Sequence, residues 1–195
     1  MAKVNGALFS LGARGKFAKT MVYMAWKGID DVRQYVIPAN PKTSAQTTQR
    51  GYMSDAVDSY KALPLNALDK QALSIWASTE SRPMSGFNKF VKDWVDLKVA
   101  SKTPNPAYDF QVTSNAGGSV AIQVELGSAQ ACRVRYGTGL AYMTNTQNLT
   151  LKSGETKIYE GTISGQTSGA NLYIQVEVQS GDNVIVSGIY KVVVA

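Results

Sequence analysis

Apolar positions change period twice along this chain, and the changes divide it. From Asn40 to Leu97 they recur at three, four and seven residues. Ala45, Tyr52, Met53, Ala56, Val57, Tyr60 and Leu63 form one stripe, while Thr47, Ser54, Asp55 and Asp58 are polar on the other side. That spacing predicts a helix that starts near Thr43, with Gln46 completing a capping box, and stops near Leu63 and Pro64. Asn66 followed by Asp69 predicts a second start, with Leu68, Ala72, Leu73 and Trp76 as its apolar stripe. A third helix is expected after Ser85, burying Phe87, Phe90, Val91, Trp94 and Leu97. Three short helices, each apolar on one side, are expected to pack together.

Before this block, KFAKTMVYMAW and DVRQYVIP are β-prone runs separated by KGID, which predicts a β-hairpin closed by Pro38 and Pro41. A lone hairpin is marginal in water, so Trp26, Met24 or Val36 should pack against the helices, or the hairpin should pair with another subunit's edge. Residues 1 to 15 carry Gly6, Gly12 and Gly15 and no clear period. They predict an extended arm ordered by a partner or by the domain's own surface.

After the helices, SKTPNPAY contains two prolines and predicts a short, stiff linker. Beyond it the period becomes two. DFQVTSN, SVAIQVELG, ACRVRYG, LAYM, NLTLKSG, TKIYEGTI, NLYIQVEVQSG and NVIVSGIYKVVV are divided by Gly, Ser and Asn, as in an antiparallel sandwich. Val120, Ile122, Val124 and Leu126, and likewise Leu172, Ile174, Val176 and Val178, mark its core. The expected architecture is an α+β N-terminal domain, residues 1–103, made of arm, β-hairpin and three-helix block. An all-β sandwich, residues 104–195, follows it.

Composition narrows the chemistry. With 195 residues, 44% of them hydrophobic, the chain can bury a sizeable core. It has no histidine and one cysteine, which excludes metal-ligand clusters and Ser-His-Asp or Cys-His catalysis. Cys132, in CRVRY, reads as a half-buried thiol rather than a nucleophile. Asp30 with Asp31, and Asp93 with Asp96, read as solvated acids. No cofactor motif is present, no catalytic residue is named, and the chain is expected not to be an enzyme. No run approaches the roughly 20 apolar residues that span a bilayer, and the first residues lack the apolar region of a cleaved signal peptide. Synthesis in the cytoplasm and no membrane partner are expected.

Charge is uneven. Residues 1–104 hold 15 Lys and Arg against 8 Asp and Glu, a net of +7, whereas residues 105–195 hold 5 against 6, a net of −1. Lys3, Arg14, Lys16, Lys19 and Lys27 meet no acid before Asp30. Such a patch suits nucleic acid, an acidic protein surface, or plain solvation.

Two resemblances add to this. VAIQVELG, CRVRYGTG, TKIYEGTISG, ANLYIQVEVQSG and SGIYKVVV resemble, in order, a fibronectin type III or related immunoglobulin-like domain over roughly the last 90 residues, with Tyr173 near the tyrosine corner. The immunoglobulin disulfide and core tryptophan are missing, which favours the fibronectin branch. In the first half, the glycine-containing start, Trp26-Lys27-Gly28, the segment from Asn40 to Gln46 with Arg50, and Ser85 to Phe90 resemble small uncharacterised proteins encoded among phage and prophage structural genes. That resemblance implies a virion component in a multi-copy assembly with other capsid or tail proteins. Phe9, Leu11, Arg14, Lys16, Phe17, Lys19, Val22 and Trp26 would form its assembly interface.

Two other functions compete. The helical block with its basic arm is superficially similar to an HMG box and would bind nucleic acid through phosphate neutralisation. The sandwich would bind a host-surface glycan or protein through Tyr136, Tyr142, Asn145 and Asn148. For each the bland reading is packing: Phe87, Phe90 and Trp94 as helix core, and the tyrosines as sheet edge.

Overall fold

A computed structural model describes residues 15–26, 29–37, 39–115, 117–179 and 183–195. The chain divides into two compact units, Met1–Thr43 and Ser44–Ala195.

The first unit contains a three-stranded antiparallel sheet, β1 (Gly15–Phe17), β2 (Met21–Trp26) and β3 (Ile29–Gln34), in that order. The expected first hairpin strand is broken in two. Ala18 and Lys19 both take left-handed backbone, with φ of 44° and 59°, and Thr20 N donates to Phe17 O at 2.9 Å. Two consecutive left-handed residues at the centre of this tight turn suit the twist of the flanking strands, and the pairing of Phe17 with Met21 leaves a three-residue connection, so a meander forms where one strand was expected. The turn was hidden because Ala-Lys lacks the Asn or Gly that usually marks it.

The second unit opens with α1 (Ser44–Ala62), which ends two residues before Pro64. In α2 (Ala67–Ser78) the expected capping box is present: Asp69 N donates to Asn66 Oδ1 at 2.8 Å and Asn66 N donates to Asp69 Oδ2 at 3.0 Å. Ser85 caps α3 (Gly86–Val99), accepting from Asn88 N. Ala56, Leu73, Phe90, Val91, Trp94 and Val95 make the helical core, joined by Val186 from the sandwich. The buried stripes are narrower than periodicity suggested, since Ala45, Met53, Leu68 and Phe87 are exposed.

Among the described residues nine strands follow: β4 (Thr103–Asn115), β5 (Ser119–Leu126), β6 (Cys132–Gly137), β7 (Asn145–Asn148), β8 (Thr150–Leu151), β9 (Ile158–Ile163), β10 (Asn171–Val178), β11 (Asn183–Val186) and β12 (Ile189–Val193). They form two sheets, ordered β11-β4-β5-β9-β8 and β12-β10-β6-β7. Pairing is antiparallel except between β11 and β4, which run parallel. Alternation in β5 and β10 places Val120, Ile122, Val124, Leu126, Leu172, Ile174 and Val176 between the sheets, as expected. The sandwich expectation holds at the level of two packed sheets.

Three expectations about this region are corrected. LAYM is a turn, and the strand beside β6 is NTQN. NVIVSGIYKVVV is two strands in different sheets, separated at Ser187 and Gly188. SKTPNPAY is not a linker but the start of β4, where buried Asn105 accepts from Ser128 N and donates to Ser128 O and Gln130 Oε1. Pro104 and Pro106 are tolerated there because alternate residues direct their N–H sites to the same strand edge, so both missing donors fall on one side.

Helices and sandwich share the second unit because α2 lies between two glycines. A Cβ on Gly86 would sit 2.9 Å from Leu73 C and Cβ, and a Cβ on Gly188 would sit 2.6 Å from Ala72 C. Neither approach tolerates a side chain.

Candidate interaction surfaces

The small sheet is where most of the expected interface residues fall. Its register places Phe17 beside Met21 and Gln34, and Gly15 beside Tyr23 and Val32. One face therefore presents Phe17, Met21, Tyr23 and Val32. Phe17 and Val32 are each 51% exposed, and Met21 is 40% exposed. Val36 and Ile37 continue the chain past β3 and are more exposed still. The other face carries Lys16, Val22 and Arg33 in one cross-strand row. There the Lys16 ammonium donates to Tyr35 Oη at 3.1 Å and lies 4.3 Å from the centre of its ring.

Of the expected interface residues, Phe17, Lys16 and Lys19 are exposed and Val22 is half-buried. Phe17 and Val22 lie on opposite faces of the sheet. Trp26 ends β2, but its side chain, like Phe9, Leu11 and Arg14, lies outside the described residues. Met21, Tyr23, Val32 and Arg33 were not anticipated. The signal was available in the alternation of MVYM and DVRQ, but assigning faces required the register.

The residues proposed for other functions separate in the same way. Phe90 and Trp94 are core, and Phe87 packs edge-on against Tyr60 at 4.9 Å, so these aromatics act as packing residues. Tyr136 packs against the sandwich core, whereas Tyr142, Asn145 and Asn148 are exposed. Cys132 is buried, and burial pushes its thiol up to about 12, which leaves it protonated and unreactive. Among the described residues no group of acids and thiols could hold a metal ion, and no helix is long and apolar enough to cross a membrane.

Two polar clusters were missed. In the first, buried Lys89 bridges Glu80 at 2.6 Å and Asp93 at 2.8 Å, and it lies 4.5 Å from the centre of the Trp76 ring. Burial alone would lower the Lys89 pKa, but hydrogen bonds and charge from Asp93 and Glu80 outweigh it and raise the value. Burial raises Asp93 despite its lysine partner. In the second, the buried Asp69 carboxylate accepts from Asn66 N, Asp109 N, Phe110 N and Tyr190 Oη. Both clusters join elements of the fold, and their acids are committed to internal partners.

A polar concavity lies on the outer face of the five-stranded sheet. Gln111, Thr113, Ala121, Gln123, Gln147, Asn148, Thr150, Glu160 and Thr162 line an open trough of about 600 Å³. Compared with known proteins, the chain matches no family model and no curated sequence.

Proposed function

We propose that this chain is a non-enzymatic structural protein of a tailed-phage virion, a capsid-decoration, minor capsid or tail-associated component. It is held by its N-terminal region and presents a sandwich of the fibronectin type III or immunoglobulin-like kind outward. The observation that carries this reading is the apolar face of the small sheet. Phe17, Met21 and Val32 are exposed on one face of a three-stranded sheet. A sheet of that size needs a hydrophobic covering for independent stability, and a repeated particle surface would supply it. The resemblance of Asn40 to Gln46 with Arg50, and of Ser85 to Phe90, to small uncharacterised proteins encoded among phage and prophage structural genes supports the same reading.

Burial would provide most of the holding energy, roughly 1.5–3 kcal/mol for each large apolar side chain fully removed from water. Lys16, Lys19 and Arg33 would add orientation and salt sensitivity, since exposed ion pairs contribute about 0–1 kcal/mol each. Main-chain pairing along the outer edge of β1 or β3 would add affinity without demanding particular side chains.

Incorporation into particles tests the reading. The full chain carrying Phe17→Asp and Val32→Asp should be made at normal levels and be lost from purified particles. Exposed positions elsewhere, such as Leu151, should tolerate the same change. Equal incorporation of the doubly substituted and native chains would overturn attachment by this face. Absence of the native protein from particles would overturn the virion assignment itself.

A further inference from the structure

We propose that the trough on the outer face of the five-stranded sheet binds a neutral oligosaccharide. The inference goes beyond the attachment reading and concerns a different part of the chain.

The trough is a product of register. Gln111 pairs with Gln123, Gln123 with Glu160, and Glu160 with Thr150, so four strands contribute one continuous row. The adjacent row is Thr113, Ala121 and Thr162. Short side chains in this second row form the floor. Longer amides, with Gln147 and Asn148 of β7, form the walls.

Two hydrogen bonds fix what the central amides offer. The Lys152 ammonium lies 2.8 Å from Gln123 Oε1, and because an ammonium only donates, that end of the amide is the carbonyl. The NH₂ end of Gln123 is left as a donor. At Gln111 the arrangement is reversed, since its Nε2 donates to Asp109 Oδ2 at 3.0 Å and the carbonyl is left as an acceptor. Acceptor, donor and acceptor therefore alternate along Gln111, Gln123 and Glu160. Adjacent sugar hydroxyls, each both donor and acceptor, match such a row.

The surrounding chemistry selects against other ligands. Among the described residues Glu160 is the ionisable side chain of the lining and Lys152, at its edge, is engaged by Gln123, so phosphates and nucleic acid meet one acid and a single committed cation rather than a cationic cradle. Among the described residues Ala121 and Ile122 are the aliphatic side chains of the lining, too few for a lipid or a flat apolar ligand. Among the described residues the lining has no aromatic ring on which a sugar face could stack. Binding at one site should therefore be weak, on the order of millimolar, and should gain strength when many copies are displayed together.

The test uses the full chain, isotope-labelled for NMR, titrated separately with maltohexaose, cellohexaose and chitohexaose up to about 10 mM, the range suited to millimolar affinity. At least one sugar should shift the side-chain amide signals of Gln111, Gln123, Gln147 and Asn148 while leaving the small sheet unmoved. Ala121→Trp, which fills the floor, should abolish the shifts. Gln111→Ala combined with Gln123→Ala, both surface changes that retain the core, should weaken binding about tenfold. The proposal is overturned if none of the three sugars moves these signals, if the shifts map elsewhere, or if the double alanine variant binds as the native chain does. Particle incorporation of that variant should be unchanged, which separates this proposal from the attachment reading.

Discussion

The phenol of Tyr190 donates to Oδ1 of Asp69 at 3.0 Å, joining two residues that are 121 positions apart. Asp69 begins as a local feature, the third residue of α2 and the closing member of its capping box, yet its carboxylate also accepts from Asp109 N at 2.9 Å and Phe110 N at 3.2 Å. Those two donors converge because the β4–β5 register shifts between Tyr108 and Gln111 and Asp109 is left-handed there, with φ of 48°. A bulge with one left-handed residue aims successive N–H groups at a single anion. The ring of Phe110 then stacks on that of Tyr190 at 3.8 Å, closing the contact between helix and sandwich.

Removing the carboxylate should therefore cost far more than removing the phenol. Tyr190→Phe loses one hydrogen bond and should destabilise by about 1 kcal/mol. Asp69→Ala leaves several buried donors without an acceptor and should cost about 3 kcal/mol or more. Urea denaturation followed by far-ultraviolet circular dichroism, which the helices dominate, and by the NMR methyl signals of Leu172 and Ile174 in the sandwich core measures both. Because the cluster ties α2 to β4 and β12, the two signals should move together in each variant. Loss of helix signal at an unchanged sandwich transition would contradict this coupling.

Alkaline pH should attack the same contact. Burial, with the Asp69 charge and hydrogen bond adding to it, raises the Tyr190 pKa well above its ordinary value, and burial with Glu125 raises Tyr108 to about 12. A raised folded pKa favours the protonated form in the folded state. The stabilisation is thus complete below the unfolded value near 10 and is lost as pH rises toward the folded values. Stability should be level with respect to these tyrosines below about pH 9.5 and fall between about pH 10 and 12. Tyr190→Phe should flatten part of that fall. An identical slope in the variant would remove Tyr190 as its source.

Two glycines should respond oppositely to alanine. Gly188 has no room, because its Cβ would meet Ala72 at 2.6–2.7 Å, and the backbone cannot retreat without separating α2 from the sheet. Gly188→Ala should destabilise by about 1–3 kcal/mol, the usual range for overpacking. Gly51 lies inside α1 with nothing within 4 Å of the position a Cβ would take. Gly51→Ala should stabilise by about 0.5–1 kcal/mol through helix propensity alone. Thermal melts of the two variants give the signs directly.

What could be read from the residues was whatever repeats at a fixed short spacing. SVAIQVEL and NLYIQVEV declare their buried faces because strand geometry has a period of two, and the cap at Asn66 and Asp69 is legible because its partners are three residues apart. Asp69's second role is not legible, since it depends on a bulge about 40 residues away. Nor is the trough: Gln111, Gln123, Glu160 and Thr150 become neighbours only through the pairing of four strands. Exposed residues of the small sheet fall between these cases. Phe17 could be marked as an interface residue by its setting, but its grouping with Met21 and Val32 needed the Ala18–Lys19 turn.

Proteolysis should locate the division of the chain before β4 rather than inside it. Prolines at 104 and 106 suggest an accessible connection, but β4 begins at Thr103, its Pro104 and Pro106 pair with β11, and Asn105 is 2% exposed with three hydrogen bonds. Cleavage requires a segment of about ten residues to leave its partners and enter the protease, so paired and buried backbone resists it. The chain's division into two compact units falls between Thr43 and Ser44, and residues 39–43 are exposed and outside any helix or strand. Lys42 stands in that stretch with left-handed backbone, φ 48°. Brief trypsin treatment should therefore cut after Lys42 first and leave a resistant fragment from residue 43 to the C-terminus that retains both helix and sheet signals. Mass spectrometry of the first stable fragment decides it: cleavage after Lys98 or Lys102 before Lys42 would mean that helices and sandwich part more easily than their shared core allows.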